Sequence, residues 1–112
     1  MDFMPSGYEE SPIKTKTGTT IAELVTALNT LSYTQRDTCA IRVDVGGGSR
    51  YTLRQGWYGT FAAFSMGANG YTSIILLLDG ANTKLMRRSN TYGSSTKTDE
   101  NLTPTSWGLY YF

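Results

Sequence analysis

The chain contains no histidine. Without imidazole there is no usual base for a serine or cysteine nucleophile and no ring nitrogen for zinc, which leaves lysine, tyrosine or paired-carboxylate chemistry. The adjacent acidic pairs are Glu9-Glu10 and Asp99-Glu100. Neighbours in polar segments do not fix two carboxylates on either side of a scissile bond, as glycoside hydrolysis requires. Gly46-Gly47-Gly48-Ser49 has the composition of an anion cradle. A phosphate loop, however, needs a helix and a lysine after it, and here the pattern of a strand follows. Asp79 and Asn82 offer oxygens within one turn, too few for a calcium loop and suited to a turn cap. Asn101-Leu102-Thr103 has the form of a glycosylation acceptor, which matters only in a eukaryotic secretory pathway. The single cysteine, Cys39, cannot close an intrachain disulfide. These residues point to a protein that is not an enzyme and that uses no metal or cofactor.

Aromatic residues are the informative surplus: eight Tyr and two Trp in 112 residues, several of them in or beside turn sequences. Most must pack the core. Tyr and Trp also make sugar-stacking platforms and protein hot spots, because each presents an apolar face with one polar group at small entropic cost. Trp57, Tyr58 and Tyr92 are the candidate ligand contacts of this type. Tyr92 is the one expected to be exposed, since it lies in the Ser/Thr/Asn/Gly-rich stretch from Ser89 to Thr105. That stretch shows no regular pattern and reads as a binding loop or a disordered one. Arg87-Arg88 would suit an acidic sugar or a phosphate, or the solvated face of an edge strand.

The net charge of +1 argues against a nucleic-acid or anionic-membrane binder, both of which need a strong cationic field. The N-terminal sequence MDFMPSGYEESPIKTK has no cationic start and no apolar stretch, so it does not read as a secretory signal. The longest strongly apolar run, Ile74 to Leu78, is far short of the ~20 residues that cross a bilayer. No membrane insertion is expected. A chain of this length is one small domain, and association with identical chains would supplement its modest core.

The elements that would position these residues are mainly β. Residues 1–18 show neither helical nor strand periodicity and read as an extended attachment arm, with Phe3, Met4, Tyr8 and Ile13 as its anchors to a neighbouring protein. Residues 19–112 form a single β-rich domain. It opens with one short helix, Ile21 to about Leu31, started by the capping box Thr20 and Glu23. Ile21, Leu24, Val25, Leu28 and Leu31 make one apolar stripe that must pack on a sheet, the favoured reading, or on copies of itself in an oligomer. From Cys39 the period becomes two, and Arg50 to Arg54 forms the next strand after a glycine turn. Pairing like faces selects an odd register, with Val43 opposite Tyr51, Ile41 opposite Leu53 and Asp44 opposite Arg50, and one left-handed glycine in a three-residue loop. Trp57 to Met66 follows, then a hairpin at Gly67-Ala68-Asn69-Gly70. Tyr71 to Leu78 has no polar face in Ile74 to Leu78 and so lies covered on both sides. A turn at Asp79 to Asn82 leads to a more exposed strand, Thr83 to Arg88, and the chain closes on the apolar strand Trp107 to Phe112, paired in a sheet or buried between subunits. The expected architecture is an antiparallel meander forming a small sandwich or curled sheet.

A helix ending near Leu31, followed by short strands bearing Gly-Gly-Gly-Ser, Gly-Trp-Tyr-Gly-Thr-Phe, Leu-Asp-Gly and Lys-Leu-Met-Arg-Arg-Ser and an aromatic closing strand with Trp107, resembles the C-terminal knob domains of bacteriophage tail fibres and pyocin-type fibres. Thr20 to Leu31 is also similar to a phrase of phage head-fibre and tail-fibre proteins. The resemblance implies a homotrimeric virion protein, assembled in the host cytoplasm, that contacts other virion proteins and binds a host-surface glycan or protein. This chain differs from such fibres in having no long shaft. A capsid decoration or head-fibre protein held by its arm, and a free carbohydrate-binding module, are the alternative expectations.

Overall fold

The computed structural model describes residues 13–56 and 60–112. Its one sheet has eight strands: β1 (Lys14–Gly18), β2 (Ala40–Asp44), β3 (Arg50–Gln55), β4 (Thr60–Gly67), β5 (Gly70–Leu77), β6 (Lys84–Thr91), β7 (Lys97–Leu102) and β8 (Ser106–Tyr111). Their spatial order is β1-β8-β2-β3-β4-β5-β6-β7, every neighbouring pair antiparallel. The fold is therefore a curled antiparallel sheet with its helices on one side. The meander from β2 to β7 is continuous, and the closing strand β8 returns to lie between β1 and β2.

Helix α1 (Ile21–Asn29) begins at Thr20, whose hydroxyl accepts from the Glu23 amide while the Glu23 carboxylate accepts from the Thr20 amide. Hydrogen bonds from Thr20 and then Thr19 hold the Glu23 carboxyl below its ordinary range. Leu24 and Leu28 of the expected stripe are buried against the sheet together with Ala27, which lies outside that stripe, while Ile21, Val25 and Leu31 are half-buried. The three buried residues meet Ile41, Val43, Leu53, Phe61, Leu76, Leu85, Trp107 and Leu109 in one core. A second helix, α2 (Tyr33–Thr38), is absent from the sequence expectation. It has a capping box of its own, Ser32 with Gln35, but no buried residue, so it carries no apolar stripe to announce it. Cys39, which follows it, is buried, and desolvation pushes its thiol pKa up. A neutral, enclosed thiol is core packing rather than a nucleophile.

The register of β2 on β3 is the odd one, Ile41 opposite Leu53, Val43 opposite Tyr51 and Asp44 opposite Arg50. Val45 and Ser49 close the loop by a 3.1 Å bond, leaving Gly46, Gly47 and Gly48 to reverse the chain. All three glycines, rather than one, take positive φ (87°, 60° and 79°). A side chain at any of them would be strained although nothing crowds it, so the run is a backbone requirement. In β5, Ile74, Ile75 and Leu76 are buried on both faces of the sheet, as expected of a run with no polar face, although β5 is third from the β7 edge rather than at the centre.

Three parts differ from expectation. Lys14–Gly18, inside the segment read as an arm without periodicity, is an edge strand paired along its whole length with β8. The polar stretch after Ser89 is ordered as the end of β6, a turn and β7, with six rungs joining β6 to β7. β6 is more exposed than β5, as expected, but Arg87-Arg88 do not lie on an edge strand: β6 is internal, between β5 and β7, and buries Leu85 and Met86. In β1 and β7 charged and polar residues occupy both faces, so no alternation marks them; Lys14, Lys16 and Lys97 also blunt these two open edges against further pairing.

The seam between the two halves of the sheet is narrow. Among the described residues two rungs, Arg54 with Ala62 and Gln55 with Phe61, and a 2.9 Å bond from the Gly56 amide to the Thr60 carbonyl join β3 to β4, whereas eight rungs join β4 to β5 and eight join β5 to β6. One side of the seam is β1, β8, β2 and β3, covered by the helices. The other is a four-stranded blade, β4 to β7, which is buried near the seam and increasingly exposed toward its tip.

Candidate functional site

On the core-side face of the blade, the rungs change character with distance from the helices. Nearest the core, Phe61, Leu76, Leu85 and Leu102 stand side by side. The next row on that face is Ala63, Ile74, Arg87 and Glu100. Beyond it come Ser65, Thr72, Ser89 and Thr98, four hydroxyl residues directly opposite one another across four strands. Residues four apart in a strand share a face, so the hydroxyl row continues the core row into solvent.

This row floors a cleft of about 500 Å³ at the tip of the blade. Thr91 and Thr96 add two more hydroxyls to its lining, and the Ala68-Asn69 turn forms one end. The β6–β7 turn is tied to that end, the Tyr92 amide donating to the Asn69 carbonyl at 3.0 Å. Gly93 at positive φ and a Ser94 to Thr91 backbone bond close the turn. Tyr92 is 48% exposed there, as the sequence suggested. Each hydroxyl offers one donor and two acceptor positions, and the row contains no charge. Such a surface suits a neutral, polyhydroxylated ligand lying across the strands.

The two arginines are placed differently from Tyr92. Arg87 lies on the hydroxyl-row face, where its guanidinium donates to Glu100 at 2.9 Å and to the Tyr51 phenol at 3.1 Å. Arg88 lies on the opposite face and grips Asp99 with two bonds of 2.8 and 3.0 Å. Both guanidiniums are therefore occupied by the neighbouring strand, and the two point to opposite sides of the sheet. Their partners, Asp99 and Glu100, are the adjacent carboxylates of the sequence, divided between the faces for the same reason. The grip of Arg88 holds the Asp99 carboxyl below its ordinary value of 3.8. A carboxylate with a depressed folded pKa stabilises above its unfolded value and loses that contribution as pH falls through the folded one. Acidification below about pH 4 should therefore loosen the β6–β7 hairpin before the core, and Asp99→Asn should remove that pH dependence. Amide exchange across β7 as a function of pH measures it.

Trp57 and Tyr58 lie outside the described residues, as do Phe3, Met4 and Tyr8 of the arm. Ile13 is exposed immediately before β1. Trp107 is buried, with its indole N–H donating to the Thr20 carbonyl at 2.8 Å. No group of three metal-ligating side chains comes together among the described residues, and no helix is long and apolar enough to cross a membrane. The hydroxyl row itself was missed by sequence reasoning. Its members are single Ser and Thr residues in four separate strands, and only the hairpin registers bring them into line. Compared with known proteins, the chain matches no family model, no curated protein and no solved structure, so the reading of the cleft rests on its own residues.

Proposed function

We propose that the chain is a non-enzymatic adhesive protein of a phage or phage-like particle, a knob that holds a host-surface glycan in the cleft at the tip of the blade. The observation that carries the glycan reading is the uncharged row Ser65, Thr72, Ser89 and Thr98, aligned across four strands in an open cleft. Sugar hydroxyls can donate to and accept from that row, in which the Ser65 hydroxyl also donates to the Thr72 carbonyl at 3.5 Å, and the sheet fixes the spacing of the partners. Tyr92 at the adjoining turn supplies an aromatic side chain of the kind that stacks on sugar rings. The particle setting and the homotrimer follow from the resemblance to fibre knobs.

The test is a screen of the full chain against immobilised bacterial surface polysaccharides, with a Thr72→Val/Ser89→Ala double variant alongside. Both substitutions keep approximate volume and remove a hydroxyl. A lost hydrogen bond is worth about 0.5–1.5 kcal/mol, so the pair should weaken glycan binding about tenfold or more at unchanged melting temperature. Retention of no glycan, or equal binding by the double variant, would overturn the reading. Light scattering decides the oligomer: three times 12.3 kDa is expected, and a stable monomer removes the trimer from the proposal.

A further inference from the structure

The other face of the sheet, where β1, β8 and β2 run side by side, holds a second cleft of about 440 Å³ that shares no residue with the first. Its floor is set by register. Gly108 of β8 stands directly between Thr17 of β1 and Arg42 of β2, so the middle position of the row has no side chain. The Tyr110 ring leans along β8 into that notch. A Cβ on Gly108 would lie 3.1 Å from its hydroxyl. On the far side of the notch Asp44 accepts from the Ser106 hydroxyl at 3.0 Å.

Two groups in this cleft have unused bonding capacity. Arg42 is half-buried, yet the ion pairs among the described residues engage Arg50, Arg87 and Arg88, and the Arg42 guanidinium makes no hydrogen bond to a described residue. An unpaired guanidinium favours an anion that can take its planar fork. Asp44 Oδ1 is shielded from solvent but accepts no hydrogen bond. The Arg50 Nε lies 3.1 Å away, within ion-pair distance but out of line for a bond, and the Arg50 side chain is 61% exposed and free to move aside. The cleft thus offers a cation for a carboxylate, an acceptor for a hydroxyl and an aromatic edge for a ring.

We propose that the cleft between Arg42, Asp44 and the Tyr110 ring, which itself covers Gly108, is a second ligand site that takes a uronic acid unit, its carboxylate on Arg42, a ring hydroxyl on Asp44 and its apolar face against Tyr110. The site shares with the adhesive reading only the ligand class, a saccharide, and it stands or falls on different residues.

The test titrates the full chain with trigalacturonic acid at low ionic strength, with its methyl ester as the uncharged counterpart, followed by backbone amide shifts. Saturable shifts at Thr17, Arg42, Asp44 and Gly108 are expected from the acid alone. Arg42→Gln, on a solvent-facing position, should weaken binding about tenfold or more, and Arg42→Lys should recover only part of it because an ammonium lacks the fork. Thr72→Val/Ser89→Ala should leave this titration unchanged. The proposal is overturned by the absence of saturable binding, by equal binding of the ester, or by an unaltered affinity in Arg42→Gln. A uronate lost from the Thr72/Ser89 variant and kept by Arg42→Gln would likewise overturn it, while supporting the tip cleft. Loss from Arg42→Gln alone would support this site even if no glycan occupied the tip.

Discussion

Phe61→Ala should cost about 3–5 kcal/mol, the range for removing a fully buried aromatic side chain from a core. Domains of this size have about 5–15 kcal/mol in total, so the variant would be at the edge of folding. The position makes the loss more than a cavity. Phe61 is completely buried and sits on one of the two rungs that join β3 to β4. On one side it meets Leu76 across β5, and in the core it belongs to the same cluster as Leu53 and Leu24. It is thus a packing link across a seam with little backbone bonding. The expected result in chemical denaturation is a lower midpoint together with early loss of amide protection in β6 and β7, while β2 and β8 stay protected. Uniform loss of protection in all strands would show that the sheet unfolds as one unit and that the seam has no special role. Phe61→Leu, which keeps most of the volume, should restore the joint behaviour.

Gly18→Ala should destabilise by about 1–3 kcal/mol, the usual cost of overpacking, although it adds one methyl group at an edge strand. Gly18 is opposite Trp107, and an added Cβ would run into the indole, approaching Cε2 to 2.7 Å. The indole has nowhere to go. It is buried, and its N–H is held by the Thr20 carbonyl just before α1. Relief requires either β1 to leave β8 or the start of α1 to shift, and both disturb the core. Coupling identifies the cause: Trp107→Leu costs stability alone by leaving a cavity and removing the indole bond to the Thr20 carbonyl, which keeps its bond from the Leu24 amide, but Gly18→Ala added to it should cost little further. Additive losses in the double variant would show that the clash is not with the ring. Thermal unfolding of the four proteins in the cycle is sufficient.

How far these features are legible in the sequence depends on whether a strand has a buried face. The pairing of Val43 with Tyr51 and Asp44 with Arg50 follows from matching like faces, because β2 covers the core on one side only. The two-sided burial of Ile74 to Leu76 follows from the lack of any polar alternate. The capping box at Thr20 marks the start of α1 with no tertiary information. By contrast β7, Lys-Thr-Asp-Glu-Asn-Leu, has polar residues at five of its six positions and is ordered by hydrogen bonds to β6 and by the Arg87 and Arg88 pairs. Nothing local distinguishes it from a loop. The candidate clefts are less legible still. Tyr92 is suspect from the composition around it, but Ser65, Thr72, Ser89 and Thr98 acquire meaning as a set only when three hairpin registers are known. Arg42 and Gly108, 66 positions apart in the chain, become neighbours because the last strand inserts beside the second.

The two-rung seam also has a mechanical consequence. Antiparallel strands joined by eight rungs share a load along their length, whereas two rungs concentrate it on a few bonds. A tug on the tip of the blade acts through strands about eight residues long, a lever arm of roughly 26 Å at the usual rise per residue. The torque falls on the junction of β3 and β4, where the shared core and the Arg87 bond to the Tyr51 phenol must carry what the few backbone bonds do not. A force applied at the tip would be shared within the blade by its long ladders, so the first bonds to give would be those of the junction rather than those of the blade.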